Sequence, residues 1–142
     1  MADTTSEKTA TDESPPAVLF KYELPTDVPQ GKKKFVTLAR TDILYGAVQV
    51  LNGGGENNLH SHSTMDGFWM VLSGRVRFYG DNDELIAECG QYEGVLVPRN
   101  CRYWFEGVGD GVAELLQVEA IVAGQAVDRT DHDPRKAGQT EF

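Results

Sequence analysis

Between about residue 34 and residue 121, short runs rich in Val, Leu, Phe, Tyr and Trp alternate with Gly, Asn and Asp. None carries the 3.6-residue stripe of an amphipathic helix, and the intervals are those of an all-β domain. The pattern predicts strands over residues 34–40, 45–51, 58–62, 68–72, 75–79, 84–88, 94–98, 103–105 and 113–121. Turns fall at Asn52-Gly53-Gly54-Gly55, Gly80-Asp81-Asn82-Asp83 and Gly107-Val108-Gly109-Asp110-Gly111, where Gly and Asn accept the positive φ of tight turns. Adjacent strands are then mostly antiparallel. In Arg75-Val76-Arg77-Phe78-Tyr79 the period of two sends Val76 and Phe78 to one face and Arg75, Arg77 and Tyr79 to the other. Such alternation fits a sandwich or a barrel and does not choose between them.

Both ends of the chain fall outside this pattern. Residues 1–16 are polar and close on Pro15-Pro16, so they read as an arm. Residues 17–127 form the folded unit, and residues 128–142 read as a polar tail in which His132 is solvated. With 142 residues, one domain with a real apolar core is expected. No apolar run reaches the roughly 18 residues of a membrane-spanning helix, and the N-terminus has no secretory or organellar character. A cytoplasmic protein with no membrane partner is expected. Cys89 and Cys101 are expected to be free thiols. Thirteen basic against 22 acidic residues give a net charge of −9, which disfavours nucleic acid as a partner. The run Lys32-Lys33-Lys34 is too short for a binding patch and reads as a solvated turn.

His60-Ser61-His62 carries the most chemical information, because residues two apart on a strand share a face and can bring two imidazoles to one metal. Taken alone this triplet is a weak signal. Its surroundings add to it. Gly54, five residues, His60-Ser61-His62, four residues, Gly67, then six residues and Gly74 resembles the first motif of the cupin superfamily, Gly, five, HxH, three or four, Glu, six, Gly. Pro98-Arg99-Asn100-Cys101-Arg102-Tyr103 resembles the second motif, PxGxxH. The resemblance covers about residues 46–120 and implies a cupin-type double-stranded β-helix, a jelly-roll barrel.

The resemblance also implies a metal site of two histidines, a Glu and a third His, and here only His60 and His62 are present. The Glu position falls on Gly67 and the last His on Tyr103, while Asn100 takes the place of a glycine and tolerates the same left-handed backbone. Asp66 is one replacement ligand, although strand parity turns it away from the inward face; its other reading is a turn residue bonding the backbone. Tyr103 is another, as a phenolate or as a pocket wall with a hydroxyl handle. Cys101 shares the parity of Tyr103 and is otherwise a buried thiol. Restoring the family carboxylate by Gly67→Glu is expected to tighten metal binding. Trp69, Phe78 and Phe105 are assigned to the substrate pocket, with core packing as their other role.

Three functions follow from the resemblance. One is a metal-dependent cupin enzyme acting on a small organic molecule, with His60 and His62 holding a divalent transition metal (Zn, Mn, Fe or Ni) and open positions left for water or substrate. Another is a metal-free protein binding a small polar ligand in the barrel mouth. The third is a structural dimer module. A homodimer is expected in each case, with residues 18–22 as a segment that crosses to the partner.

Overall fold

The computed structural model describes residues 14–53 and 57–136. Gly54 of the first motif and the N-terminal arm up to residue 13 lie outside the described residues. Ten strands follow in order: β1 (Lys32–Arg40), β2 (Leu44–Asn52), β3 (His60–Ser61), β4 (Met65–Ser73), β5 (Val76–Tyr79), β6 (Leu85–Cys89), β7 (Gly94–Val97), β8 (Trp104–Gly107), β9 (Val112–Ile121) and β10 (Thr130–Asp131). One 3₁₀ turn, Asp81–Asp83, joins β5 to β6 and places Asn82 at a φ of 58°.

β1, β2, β9, β4 and β7 form a five-stranded sheet in that order, and every pairing in it is antiparallel. Opposite it lies the ladder β6-β5-β8. A bridge from His60 to Tyr103 continues that ladder towards the β10-β3 pair, with the two backbones exchanging hydrogen bonds of 3.1 and 3.0 Å. These ladders remain separate among the described residues and do not close into a continuous ring. Apolar side chains of both layers meet between them: Leu51, Val71, Ala113 and Leu115 from one, Val76, Phe78, Cys89 and Phe105 from the other. Removing this surface from water is the main favourable term in the fold.

The strand pattern of the sequence is recovered with small shifts at the ends, apart from three differences. Lys32, Lys33 and Lys34 open β1 instead of forming a turn, since the chain turns one step earlier at Gly31, whose φ is 81°. The strand expected over residues 58–62 shrinks to His60–Ser61. Residues 128–136, expected as a free tail, are docked through at least their first half. Thr130 pairs with Ser61 and Asp131 with His60. The Arg129 side chain bonds Asn58 at 2.5 Å and Asp131 at 2.9 Å, and His132 reaches the Ser61 hydroxyl at 2.8 Å. Polar composition misled here because the segment docks by backbone pairing and charge-assisted bonds, which leave no apolar signature.

Candidate functional site

β3 and the strands beside it set the site. His60 and His62 are buried, and each ring is fixed by its Nδ1. His60 Nδ1 donates to the Asn58 carbonyl at 2.7 Å, and His62 Nδ1 donates to the Asp128 carbonyl. A carbonyl accepts only, so the proton of each neutral ring sits on Nδ1 and the lone pair on Nε2. His60 Nε2 is buried and has no hydrogen-bond partner among the described residues. The two rings meet edge to face with centroids 5.1 Å apart. Burial pushes the His60 pKa down to about 3 and lowers that of His62, with nearby Arg129 acting in the same direction. Both imidazoles are therefore neutral acceptors at physiological pH.

The docked C-terminal segment completes this arrangement. Asp128 supplies the carbonyl for His62, and its carboxylate binds the Ser63 amide at 2.8 Å and the Ser63 and Thr64 hydroxyls at 2.5 and 3.1 Å. Those bonds hold the Asp128 carboxyl below the usual range. The turn after β3 is thereby fixed from a point 65 residues away in sequence.

Tyr103 lies against His60 with centroids 4.5 Å apart and against Trp69 at 6.3 Å. Burial, reinforced by the neighbouring Glu119, pushes its pKa far up, so without a metal the side chain is a neutral phenol. Asp66 is not brought to the histidines. It stands on the outer face of β4 with 47% of its side chain exposed, accepting from the Arg99 amide at 2.8 Å and the Arg99 side chain at 3.2 Å. Strand parity decides this outcome, since Met65, Gly67 and Trp69 take the inward positions. Cys101 turns its thiol towards the Arg102 carbonyl. Among the described residues no three His, Cys, Asp or Glu side chains are placed together to hold a metal ion.

The three pocket aromatics are all buried, in different surroundings. Trp69 and Phe105 touch with centroids 5.0 Å apart, and Phe78 packs on Phe105 at 5.7 Å, within the apolar cluster. Trp69 also borders the polar side through Tyr103, and its buried indole N–H acts on the Tyr103 hydroxyl without reaching normal hydrogen-bond geometry.

Sequence reasoning missed a second set of inward polar residues. Lys33 donates to Gln49 Oε1 at 3.2 Å, Gln49 donates to Gln117 Oε1 at 3.2 Å, and Gln117 donates to Glu119 Oε1 at 3.3 Å. Gln49, Gln117 and Glu119 are all buried. Burial pushes the Glu119 pKa up to about 7; Asp66 adds to the rise and Gln117 opposes it. Its carboxyl lies over Gly67, its cross-strand partner: a Cβ at position 67 would come within 2.0 Å of Glu119 Oε2. The signal was available in β9, where the inward parity of Ala113 and Leu115 continues to Gln117 and Glu119. One residue pair beyond Glu119, a cavity of about 110 Å³ opens among Arg40, Tyr45, Met65, Ile121 and Val127.

Two facing antiparallel layers with a histidine pair and a polar ladder on the inner side define a jelly-roll protein with an interior polar site. A cupin-domain family model matches residues 47–119, and the chain belongs to the cupin family. No curated protein matches it in sequence. Solved structures share the fold at low identity. An uncharacterized conserved protein with a double-stranded β-helix domain from Klebsiella pneumoniae is 16% identical, with a TM-score of 0.62 over 79% of this chain and 97% of that one. KdgF from Halomonas sp. is 12% identical, with a TM-score of 0.60 over 77% and 97%. A putative mannose-6-phosphate isomerase from Ralstonia eutropha JMP134 is 20% identical, with a TM-score of 0.59 over 72% and 98%.

Proposed function

We propose that the protein is a small-molecule-binding cupin whose interior site holds a divalent transition metal through Nε2 of His60 and Nε2 of His62. The observation that carries this reading is the fixed tautomer of both rings together with the buried His60 Nε2, an acceptor that nothing among the described residues satisfies. A buried acceptor of this kind costs about 1–3 kcal/mol, and a metal ion or a ligand donor removes that cost. The donor set fits the ion: neutral imidazoles suit Zn, Mn, Fe and Ni, and backbone carbonyls on the Nδ1 side are the usual second shell of a metal-bound histidine. A bound ion would act as a Lewis acid on an oxygen of a small organic ligand. The protein's own part is to keep both rings neutral and oriented and to surround the ligand with Tyr103, Trp69 and the Gln49-Gln117-Glu119 ladder.

The absence of a third converging His, Cys, Asp or Glu among the described residues favours a second reading, a metal-free pocket for a polar ligand that donates to the imidazoles. Calorimetric titration of the purified chain with Zn, Mn, Fe(II) and Ni separates the two. Saturable one-to-one binding that is lost in both His60→Ala and His62→Ala supports the metal reading; equal binding by wild type and both variants contradicts it.

We also propose a cytoplasmic homodimer that pairs through the N-terminal segment. Val18 and Leu19 are 78% and 91% exposed next to an exposed Phe20, a stretch of apolar surface that a second copy would cover. A monomeric mass by light scattering at micromolar concentration would rule the dimer out.

A further inference from the structure

We propose that Glu119 is the group that meets the exogenous ligand on the open side of the His60 and His62 pair, and that position 67 is glycine because the Glu119 carboxyl occupies its side-chain space. This inference rests on the histidine-pair reading and adds a residue that the motif spacing does not contain.

Three observations carry it. Gly67 on β4 and Glu119 on β9 are direct cross-strand partners on the inward face, so only one of the two can fill the volume between them. That volume is filled from β9: an added Cβ on Gly67 would lie 2.0 Å from Glu119 Oε2 and 2.6 Å from its carboxyl carbon. The other oxygen, Oε1, is already committed to Gln117 at the end of the chain of donors running from Lys33 through Gln49. A directed ladder that ends in a carboxyl satisfies one oxygen and turns the second to the interior.

Position relates this carboxyl to the histidines. Glu119 and Gly67 are the inward cross-strand pair next to Gln117 and Trp69, the Trp69 ring meets Tyr103, and the Tyr103 ring rests on His60. Glu119, Trp69, Tyr103 and His60 thus follow one another along one side of the interior. A carboxyl buried for packing alone is costly, because an apolar side chain of similar size would fill the same volume without desolvating a charge. Direct ligation of the ion by Glu119 does not follow, since among the described residues no acidic side chain joins the two histidines as a third ligand. Contact through a water or ligand oxygen held at the site does, and carboxylates in that position commonly change metal affinity by roughly 10–100-fold.

The test uses the full chain and Ni(II) as the probe, titrated calorimetrically at pH 8. Glu119→Gln, which keeps the shape of the side chain and an acceptor for Gln117, is expected to weaken binding by about tenfold. Gly67→Ala, which displaces the carboxyl, is expected to weaken it by a similar factor, and the double variant to lose no more than either single one. The new Cβ at position 67 would also approach the Val118 carbonyl to 2.9 Å, so a Gly67→Ala chain that fails to fold leaves the decision to Glu119→Gln. Wild-type affinity in Glu119→Gln, with binding abolished in His60→Ala, overturns this inference and leaves the histidine reading intact. Wild-type affinity in His60→Ala overturns the histidine reading, and this inference with it.

Discussion

The two ends of β9 face the same interior with opposite chemistry. Ala113 and Leu115 project into an apolar cluster with Leu51, Val71, Val76, Phe78 and Phe105, whereas Gln117 and Glu119, on the same face of the same strand, join the polar ladder beside Tyr103. Everything in the first half follows from area removed from water. In the second half that explanation fails, because the side chains are equally buried but polar, and one acceptor, His60 Nε2, has no partner among the described residues. Two halves of one interior thus obey different rules: burial of apolar area accounts for the first and not for the second.

The comparison breaks first if the apolar half is not what holds the protein together. Phe105 is fully buried between Trp69 and Phe78, so Phe105→Ala is expected to cost about 3–5 kcal/mol in urea unfolding, the range for deleting a buried aromatic ring. A cost below about 1 kcal/mol would mean that this cluster is not the core.

A smaller effect sharpens the polar half. The native Glu119 carboxyl has a pKa of about 7 against 4.5 for the ordinary group, so the native state holds this proton more tightly. Its contribution to stability is complete below about pH 4.5 and is lost as pH rises through about 7. His60, lowered to about 3 from 6.5, works in the other direction: its contribution is present above 6.5 and lost as pH falls towards 3. Subtracting the unfolding profile of Glu119→Gln from that of wild type isolates the first term. The wild type is expected to lose roughly 3 kcal/mol relative to the variant between pH 4.5 and pH 8, and parallel profiles would show that the carboxyl is not buried as described. The same burial moves proton competition at His60 well below the free-histidine range and lowers it at His62, so metal binding is expected to weaken at a lower pH than free histidine would set.

Much of this was legible in the sequence. The alternation in Arg75-Val76-Arg77-Phe78-Tyr79 gave both faces of β5 correctly, with Arg75 and Arg77 pairing outside with Glu88 at 2.9 and 2.7 Å. Asn100 does adopt the left-handed backbone expected of the residue in a glycine's place, with φ at 69°. The HxH triplet marked the two inward imidazoles because a period of two needs no tertiary information. What was hidden depended on pairing between distant segments. The expectation that Gly67→Glu would supply a missing carboxylate took no account of the register of β4 against β9, which already places Glu119 in that volume. Lys33 looked like part of a solvated charge run because its inward bond to Gln49 exists only once β1 lies on β2. The segment around Asp128 looked like a tail because its partners, Asn58, Ser61, His62 and Ser63, lie some 65 residues or more before it.

The central claim is that the polar half of the interior is kept for binding and contributes little to holding the fold. Urea unfolding of His60→Leu tests it most directly, because the substitution removes the open Nε2, adds apolar volume, and gives up one hydrogen bond to the Asn58 carbonyl. These terms are each about 1–3 kcal/mol and opposite in sign, so the account predicts stability within about 1 kcal/mol of wild type at an unchanged m-value. A loss of about 3–5 kcal/mol, equal to that of Phe105→Ala, would contradict it and make His60 a core residue like any other.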